Sequence, residues 1–298
     1  MASLPVTPPT VTATAIRNLL LATDFSPHSE RALQQARVIC GIANAKLHIV
    51  HVLPPGTPSP DSDFRVRQFD SARKHAEDEI RRIENSGTLA GVEHDVAIER
   101  GDVWPVLAKN IGNQKIDLIL LGTRGRGGIG KFVMGSVAEK VFRLARCPVL
   151  TVGPRVQASM SEAMLGRILV ATDFSAGSMH ALPYALWFAE HFKAKLILLH
   201  VLDPYQSGWY GPGENVGAET RERLRKLVPQ THEYAFEFKV AVGPPGAVIV
   251  EVANGKKVNL VVMGVRATQA VTLSSHLPWS TAHHVVDHVQ CPVLTVRG

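Results

Sequence analysis

The segment from Leu19 to Pro55, LLLATDFSPHSERALQQARVICGIANAKLHIVHVLPP, returns from Ile168 to Pro204 as ILVATDFSAGSMHALPYALWFAEHFKAKLILLHVLDP. The two align without a gap, and about half of the positions are identical. The ends repeat as well: Cys147 to Val152 is CPVLTV, and so is Cys291 to Val296. Whatever this chain folds into, it folds into it twice. The expected layout is an arm over 1–15, a first domain over 16–153, a linker over 154–166 and a second domain over 167–298. A length of 298 residues suits two domains of roughly 150 residues each. With 45% apolar and 19% charged residues, there is material for two cores.

Within each copy, strand patterns alternate with helix patterns. Ile16–Thr23 reads as a strand built round the apolar run Leu19–Ala22 and stopping at Asp24, as a strand buried on both faces would. Ser26-Pro27 opens a helix, with Ser at the N-cap and Pro at the first helical position. Strands follow over Leu47–Val52, Val92–Glu99, Ile116–Leu121 and Val149–Val152. The helices between them are expected over Phe69–Ile83, Val103–Ile111 and Ser136–Ala145, with a Pro/Ser/Asp-rich loop over Pro54–Asp63. The second copy places strands near Ile168–Thr172, Leu196–Val201, Tyr234–Val240, Leu260–Met263 and Val293–Val296. Such alternation predicts an α/β protein, each half an open five-stranded parallel sheet with helices on both faces. Ligands of such sheets bind outside the carboxyl ends of the strands, where the strand order reverses. Asp24, Val52 and Gly122 all fall at strand ends, so one ligand could meet all three.

The most informative stretch is Leu121–Glu139, LGTRGRGGIGKFVMGSVAE, which leaves a buried strand and enters a helix. Glycines let main chain approach a ligand, and a helix N-terminus attracts phosphate. Arg124, Arg126 and Lys131 add charge. Ser136 and Glu139 spell a capping box, which starts the helix at Gly135-Ser136. The alternative is a flexible connector. Gly125, Gly127 and Gly130 spell G-x-G-x-x-G, but after the fourth strand rather than the first, with no acidic partner on the next strand. Gly125 to Lys131 spells G-x-x-x-x-G-K, but Phe132 stands where a Ser or Thr would hold Mg²⁺.

A third pattern fits throughout: Gly122-x2-Gly125-x9-Gly135-Ser136. With the L-x-A-T-D-F-S start, the H-V that ends the second strand and the G-S-V-A-E-K-V…C-P-V-L-T-V finish, the chain resembles the universal stress protein family. It is similar to the ATP-binding branch in tandem form, from Ile16 to Arg297. The resemblance implies two Rossmann-like domains of the adenine nucleotide alpha hydrolase-like kind. It implies ATP as the ligand, with AMP or ADP as alternatives and Mg²⁺ as a companion ion. Asp24 would contact the adenosine moiety and Val52 the adenine, with Ala22 and Leu121 beside them. Gly122, Arg124, Gly125, Gly135, Ser136 and Val137 would wrap phosphates and ribose. For Asp24 the plain alternative is a turn or capping role. The resemblance also implies pairing of the two domains through Val149–Val152 and Val293–Val296, and a homodimer is a further option.

The second copy keeps Asp173, His200, Val201 and Gly264 but not the loop. Ala267 replaces the second glycine, Trp279 replaces the equivalent of Gly135, and the loop between Gly264 and Cys291 is two residues longer. An indole where phosphate needs bare main chain predicts an empty or altered second site. His276, His283, His284 and His288 cluster in sequence, and His284 and His288 have an i, i+4 spacing that can hold a metal. No accompanying H-E-x-x-H glutamate is present, so packing histidines are expected, as for His51 and His200. Cys40, Cys147 and Cys291 form no C-x-x-C pair, which with the absence of an export signal suits a cytoplasmic protein. Cys147 and Cys291 read as small buried hydrophobes. No apolar run of membrane-spanning length occurs. The net charge of +6 favours anionic partners, but Lys and Arg do not interleave with aromatics as a nucleic-acid surface would. No nucleophile–base set is visible, so a nucleotide-dependent regulatory protein is expected. A slow ATPase or phosphotransferase and a ligand-free scaffold are the alternatives.

Overall fold

A computed structural model describes residues 15–55, 62–123, 134–156, 166–203, 215–228, 235–265 and 278–298, with side chains omitted over 62–65 and 278–280. The chain divides into two compact units, Ala15–Ser161 and Glu162–Gly298. In the first, β1 (Asn18–Ala22), α1 (Pro27–Ala43), β2 (Lys46–Leu53), α2 (Ser62–Asn85) and β3 (His94–Arg100) are followed by α3 (Val103–Asn113), β4 (Leu118–Gly122), α4 (Ser136–Leu144) and β5 (Val149–Val152). The second repeats this as β6 (Arg167–Ala171), α5 (Ala176–Phe192), β7 (Lys195–Leu202), α6 (Val216–Arg225) and β8 (Phe236–Val242), then α7 (Pro245–Gly255), β9 (Leu260–Val265), α8 (Pro278–His288) and β10 (Val293–Arg297).

Each unit carries five parallel strands, in the order β3-β2-β1-β4-β5 in the first and β8-β7-β6-β9-β10 in the second. Right-handed crossovers put the two helices that lead leftward on one face and the two that lead rightward on the other. Contacts agree: Arg82 of α2 pairs with Glu30 of α1, and α3 packs on α4 as α7 does on α8. Because helices cover both faces, consecutive strand residues are buried together. Leu19, Leu20 and Leu21 are all buried, as are Leu118 to Leu121 and Leu196 to Leu199. No helix among the described residues is long and apolar enough to cross a membrane.

Most elements match the sequence pattern. The first helix starts as its residues dictate: the Ser26 hydroxyl accepts the Ser29 N–H, and Pro27 follows. Helix α2 is longer than its amphipathic pattern suggested, beginning at Ser62 in what reads as a loop. Beyond Pro60 no Pro or Gly interrupts the chain, so nothing stops the helix from extending backwards. Asp117 anchors the entry to β1 by accepting the Arg17 and Asn18 N–H groups at 2.8 and 2.9 Å. Asn259 performs the same task for Gly166 and Arg167.

Candidate functional site

The order of strands reverses between β1 and β4, so the chains that leave their paired carboxyl ends turn to opposite faces of the sheet and leave a crevice. A cavity of about 390 Å³ lies there, within the range of small-molecule sites. Strand ends supply Ala22, Asp24, Val52, Leu121 and Gly122, and the start of α4 supplies Gly135, Ser136 and Val137. Eight of the ten residues expected from sequence therefore share one cavity. The other two, Arg124 and Gly125, lie outside the described residues, as do Arg126, Lys131 and both near-fitting glycine fingerprints.

The turn after β1 is held in a strained shape. Phe25 has φ 59°, the left-handed region that a bulky residue seldom enters. Three contacts hold it. The Thr23 hydroxyl accepts the Phe25 N–H at 3.0 Å, the Phe25 ring lies 4.6 Å from the His51 ring, and His51 Nδ1–H donates to the Thr23 carbonyl at 2.8 Å. His51 thus clasps the end of β2 to the end of β1. This turn aims Asp24, whose Oδ1 accepts the Ser26 N–H at 3.0 Å and the Ser29 hydroxyl at 2.8 Å. Asp24 does make the turn contact that was its plain alternative, and it lines the cavity as well.

The start of α4 departs from the expected capping box. The helix begins at Ser136, but its N-cap is Gly135 and no side chain caps it. Ser136 is the first helical residue and is exposed, so its hydroxyl does not close the helix end. The Gly135 N–H donates to the Thr123 carbonyl at 2.8 Å, which removes it from the donors a ligand could use. The N–H groups of Ser136, Val137 and Ala138 have no partner among the described residues. These are the donors that a helix of this kind leaves for an anion. In the first unit, α1 is instead closed by its own Ser26.

Eight further residues line the cavity that the sequence had not marked as site residues: Thr23, Ser29, Val50, His51, Val103, Leu107, Thr123 and Ala138. Val103 and Leu107 stand at i and i+4 on α3 and make an apolar wall with Val50 and Val52. Their spacing was visible in sequence, but the strand order that brings α3 over this crevice was not.

Gly122 has a structural reason beside any ligand. A β-carbon there would lie 2.8 Å from the His28 carbonyl carbon and Cβ, and 2.9 Å from the Ser29 nitrogen. The first turn of α1 thus rests directly on this glycine.

The second unit repeats the turn: Phe174 has φ 59°, and His200 Nδ1–H donates to the Thr172 carbonyl at 2.8 Å. Burial chiefly pulls His200 below the usual imidazole range, the Thr172 carbonyl opposes this, and the nearby Arg223 guanidinium adds to it. Asp173 is exposed, whereas Asp24 is half-buried. Ala267 and the Trp279 side chain lie outside what is described. On α8, His284 and His288 stack with ring centroids 4.2 Å apart, and His276 is outside the described residues. Among the described residues no three His, Cys, Asp or Glu gather as a metal site.

These features define two open α/β units in tandem, the first with an apolar-walled cavity at its switch point against which a helix N-terminus opens. The universal stress protein family model matches residues 15–153 and 164–297, so the chain belongs to that family. A putative universal stress protein of Staphylococcus haemolyticus is 30% identical over 138 residues, 46% of this chain and 84% of that one. A universal stress protein from Archaeoglobus fulgidus has a similar fold, with a TM-score of 0.70 at 20% identity, covering 96% of this chain and 99% of the other. A functionally unknown protein from Pseudomonas aeruginosa has a TM-score of 0.62 at 19% identity, covering 96% and 94%.

Proposed function

We propose that the first unit, over residues 16–153, binds an adenine nucleotide, with ATP as the ligand and AMP or ADP as alternatives, and that the bound nucleotide regulates what the protein does under stress. The observation that carries this reading is the meeting of three unlike parts in one cavity. They are the oriented carboxylate of Asp24, an apolar wall of Val52, Val103 and Leu107, and an uncapped helix end at Ser136. A purine stacks against apolar side chains, its amino group or the ribose hydroxyls can donate to a carboxylate, and phosphate oxygens accept from helix N–H groups. Asp24 is the one carboxylate among the described lining residues, so Mg²⁺ would be held mainly through the phosphates. The second unit, over 167–298, acts in this reading as a degenerate copy, and the whole chain as a cytoplasmic protein.

Native mass spectrometry of freshly purified protein tests the proposal by reporting nucleotide identity and stoichiometry together. One adenine nucleotide per chain is expected, and Gly135→Trp should abolish it by placing an indole against the helix end. Protein that carries no nucleotide and takes up none from millimolar ATP would sink the reading.

A further inference from the structure

The two units carry the same four polar residues at the turn after the first strand: Thr23, Asp24, Ser26 and Ser29 in one, Thr172, Asp173, Ser175 and Ser178 in the other. They wire them differently. In the first unit, the Ser29 hydroxyl reaches Asp24 Oδ1 at 2.8 Å and the Ser26 carbonyl at 3.0 Å. One proton serves both, and the carboxylate is the nearer and stronger acceptor. In the second unit, the Ser178 hydroxyl accepts from the Thr172 hydroxyl at 2.9 Å and donates to the Ser175 carbonyl at 3.0 Å. Asp173 is exposed, whereas Asp24 is half-buried.

The cause lies one residue earlier. His28 in α1 is replaced by Gly177 in α5, and both rest on the glycine that ends a neighbouring strand. A β-carbon on Gly122 would come within 2.8 Å of the His28 backbone and 2.9 Å of the Ser29 nitrogen. On Gly264 it would come within 2.2 Å of both the Gly177 carbonyl carbon and the Ser178 nitrogen. Without a side chain, the first turn of α5 settles deeper onto its strand. The serine of that turn then meets the threonine at the strand end, not the aspartate. With His28 in place, α1 stands further off and Ser29 meets Asp24.

We infer that Ser29 is a positioning residue for the candidate nucleotide site, holding the Asp24 carboxylate toward the cavity, and that His28 sets the helix height that lets it do so. This rests on the reading of the site given above. It also supplies a difference between the units that is separate from the loop: Asp173 keeps the Ser175 N–H on its Oδ1 at 3.0 Å, as Asp24 keeps that of Ser26, but the Ser178 hydroxyl is turned to Thr172 and Ser175.

Isothermal titration calorimetry with three probes, ATP, adenosine and inorganic tripolyphosphate, tests this. Ser29→Ala should weaken ATP and adenosine about five- to tenfold, the loss expected for one charge-assisted hydrogen bond acting through a second residue. Tripolyphosphate, which engages only the helix end, should bind as in the wild type. Because Ser29 acts through Asp24, the Asp24→Ala/Ser29→Ala double variant should bind no worse than Asp24→Ala alone. His28→Gly should weaken adenosine in the same direction and add nothing to Ser29→Ala. Equal loss for all three probes would mean a general structural role, and additive losses or unchanged adenosine binding in Ser29→Ala would overturn the inference. If the wild type binds none of the three, the nucleotide reading fails first, and that outcome is distinct from all the others.

Discussion

Adding one methyl group at Gly122 should unsettle the first unit whether or not a ligand is present. The new carbon would sit 2.8 Å from His28 main chain and Cβ atoms and 2.9 Å from the Ser29 nitrogen. Carbon atoms at rest stand roughly 3.5–4.0 Å apart, so the first turn of α1 would have to retreat by about 1 Å. It has little room to do so. Its N-terminus is closed by Ser26, and its buried face, including Ala32, Ala36 and Ile39, is already packed on the sheet. Overpacking against main chain of this kind costs about 2 kcal/mol, which for a unit of this size lowers Tm by roughly 4–10 °C. Gly41→Ala is the matched control. A β-carbon at Gly41 meets nothing within 4 Å, and the residue is an exposed one inside α1. Replacing it should raise stability by about 0.5–1 kcal/mol by trimming the unfolded chain's freedom. Thermal unfolding followed by circular dichroism, with and without ATP, checks both. A Gly122→Ala protein that melts with the wild type would refute the claim that this glycine is required by helix packing. So would a Gly41→Ala protein that falls as far.

Two other outcomes can be checked directly. Glu237 receives hydrogen bonds from Lys195 and Lys256, which hold its carboxyl at about 2. A carboxylate depressed in this way stabilises the fold above its unfolded value, near 4.3, and that contribution disappears as pH falls toward 2. Allowing for partial exposure, it is worth about 1 kcal/mol. Glu237→Gln should therefore be less stable at pH 7, and the gap should narrow steadily from about pH 4 downward and close only below pH 2, as urea unfolding across that range would reveal. Burial pushes the thiols of Cys40 and Cys291 up to about 12 and that of Cys147 to about 11. All three should resist iodoacetamide at pH 8 in the folded protein and react in urea, as peptide mass mapping would record; rapid native labelling of Cys291 would contradict its burial.

Repetition and strand–helix alternation were enough to read the architecture from sequence, because each rests on short-range patterns: apolar runs for strands buried on both faces, and Ser-Pro at the start of α1. The residues at strand ends were legible for the same reason. Asp24, Val52 and Gly122 each follow an apolar run, and a parallel sheet places such ends on one side. The start of α4 was legible in position but not in chemistry. Ser136 and Glu139 have the spacing of a capping box, yet the Gly135 N–H goes to the Thr123 carbonyl, and this contact sets Ser136 inside the helix. Two residues adjacent in the structure but a dozen apart in sequence decided it.

By itself, the sequence determined that this protein is built twice, that each half is a parallel α/β unit, and which strand ends of the first half meet at one cavity. Only the tertiary structure decided how those ends are equipped. Val103 and Leu107 reach the cavity because strand order reverses and carries α3 across it. Ser29 reaches Asp24 and Ser178 does not reach Asp173, although the serines and aspartates are identical, because His28 and Gly177 let their helices rest at different heights on a glycine. Local pattern specifies elements, while the distance between packed elements is set by side chains remote in sequence, and hydrogen bonds respond to differences of a fraction of an ångström.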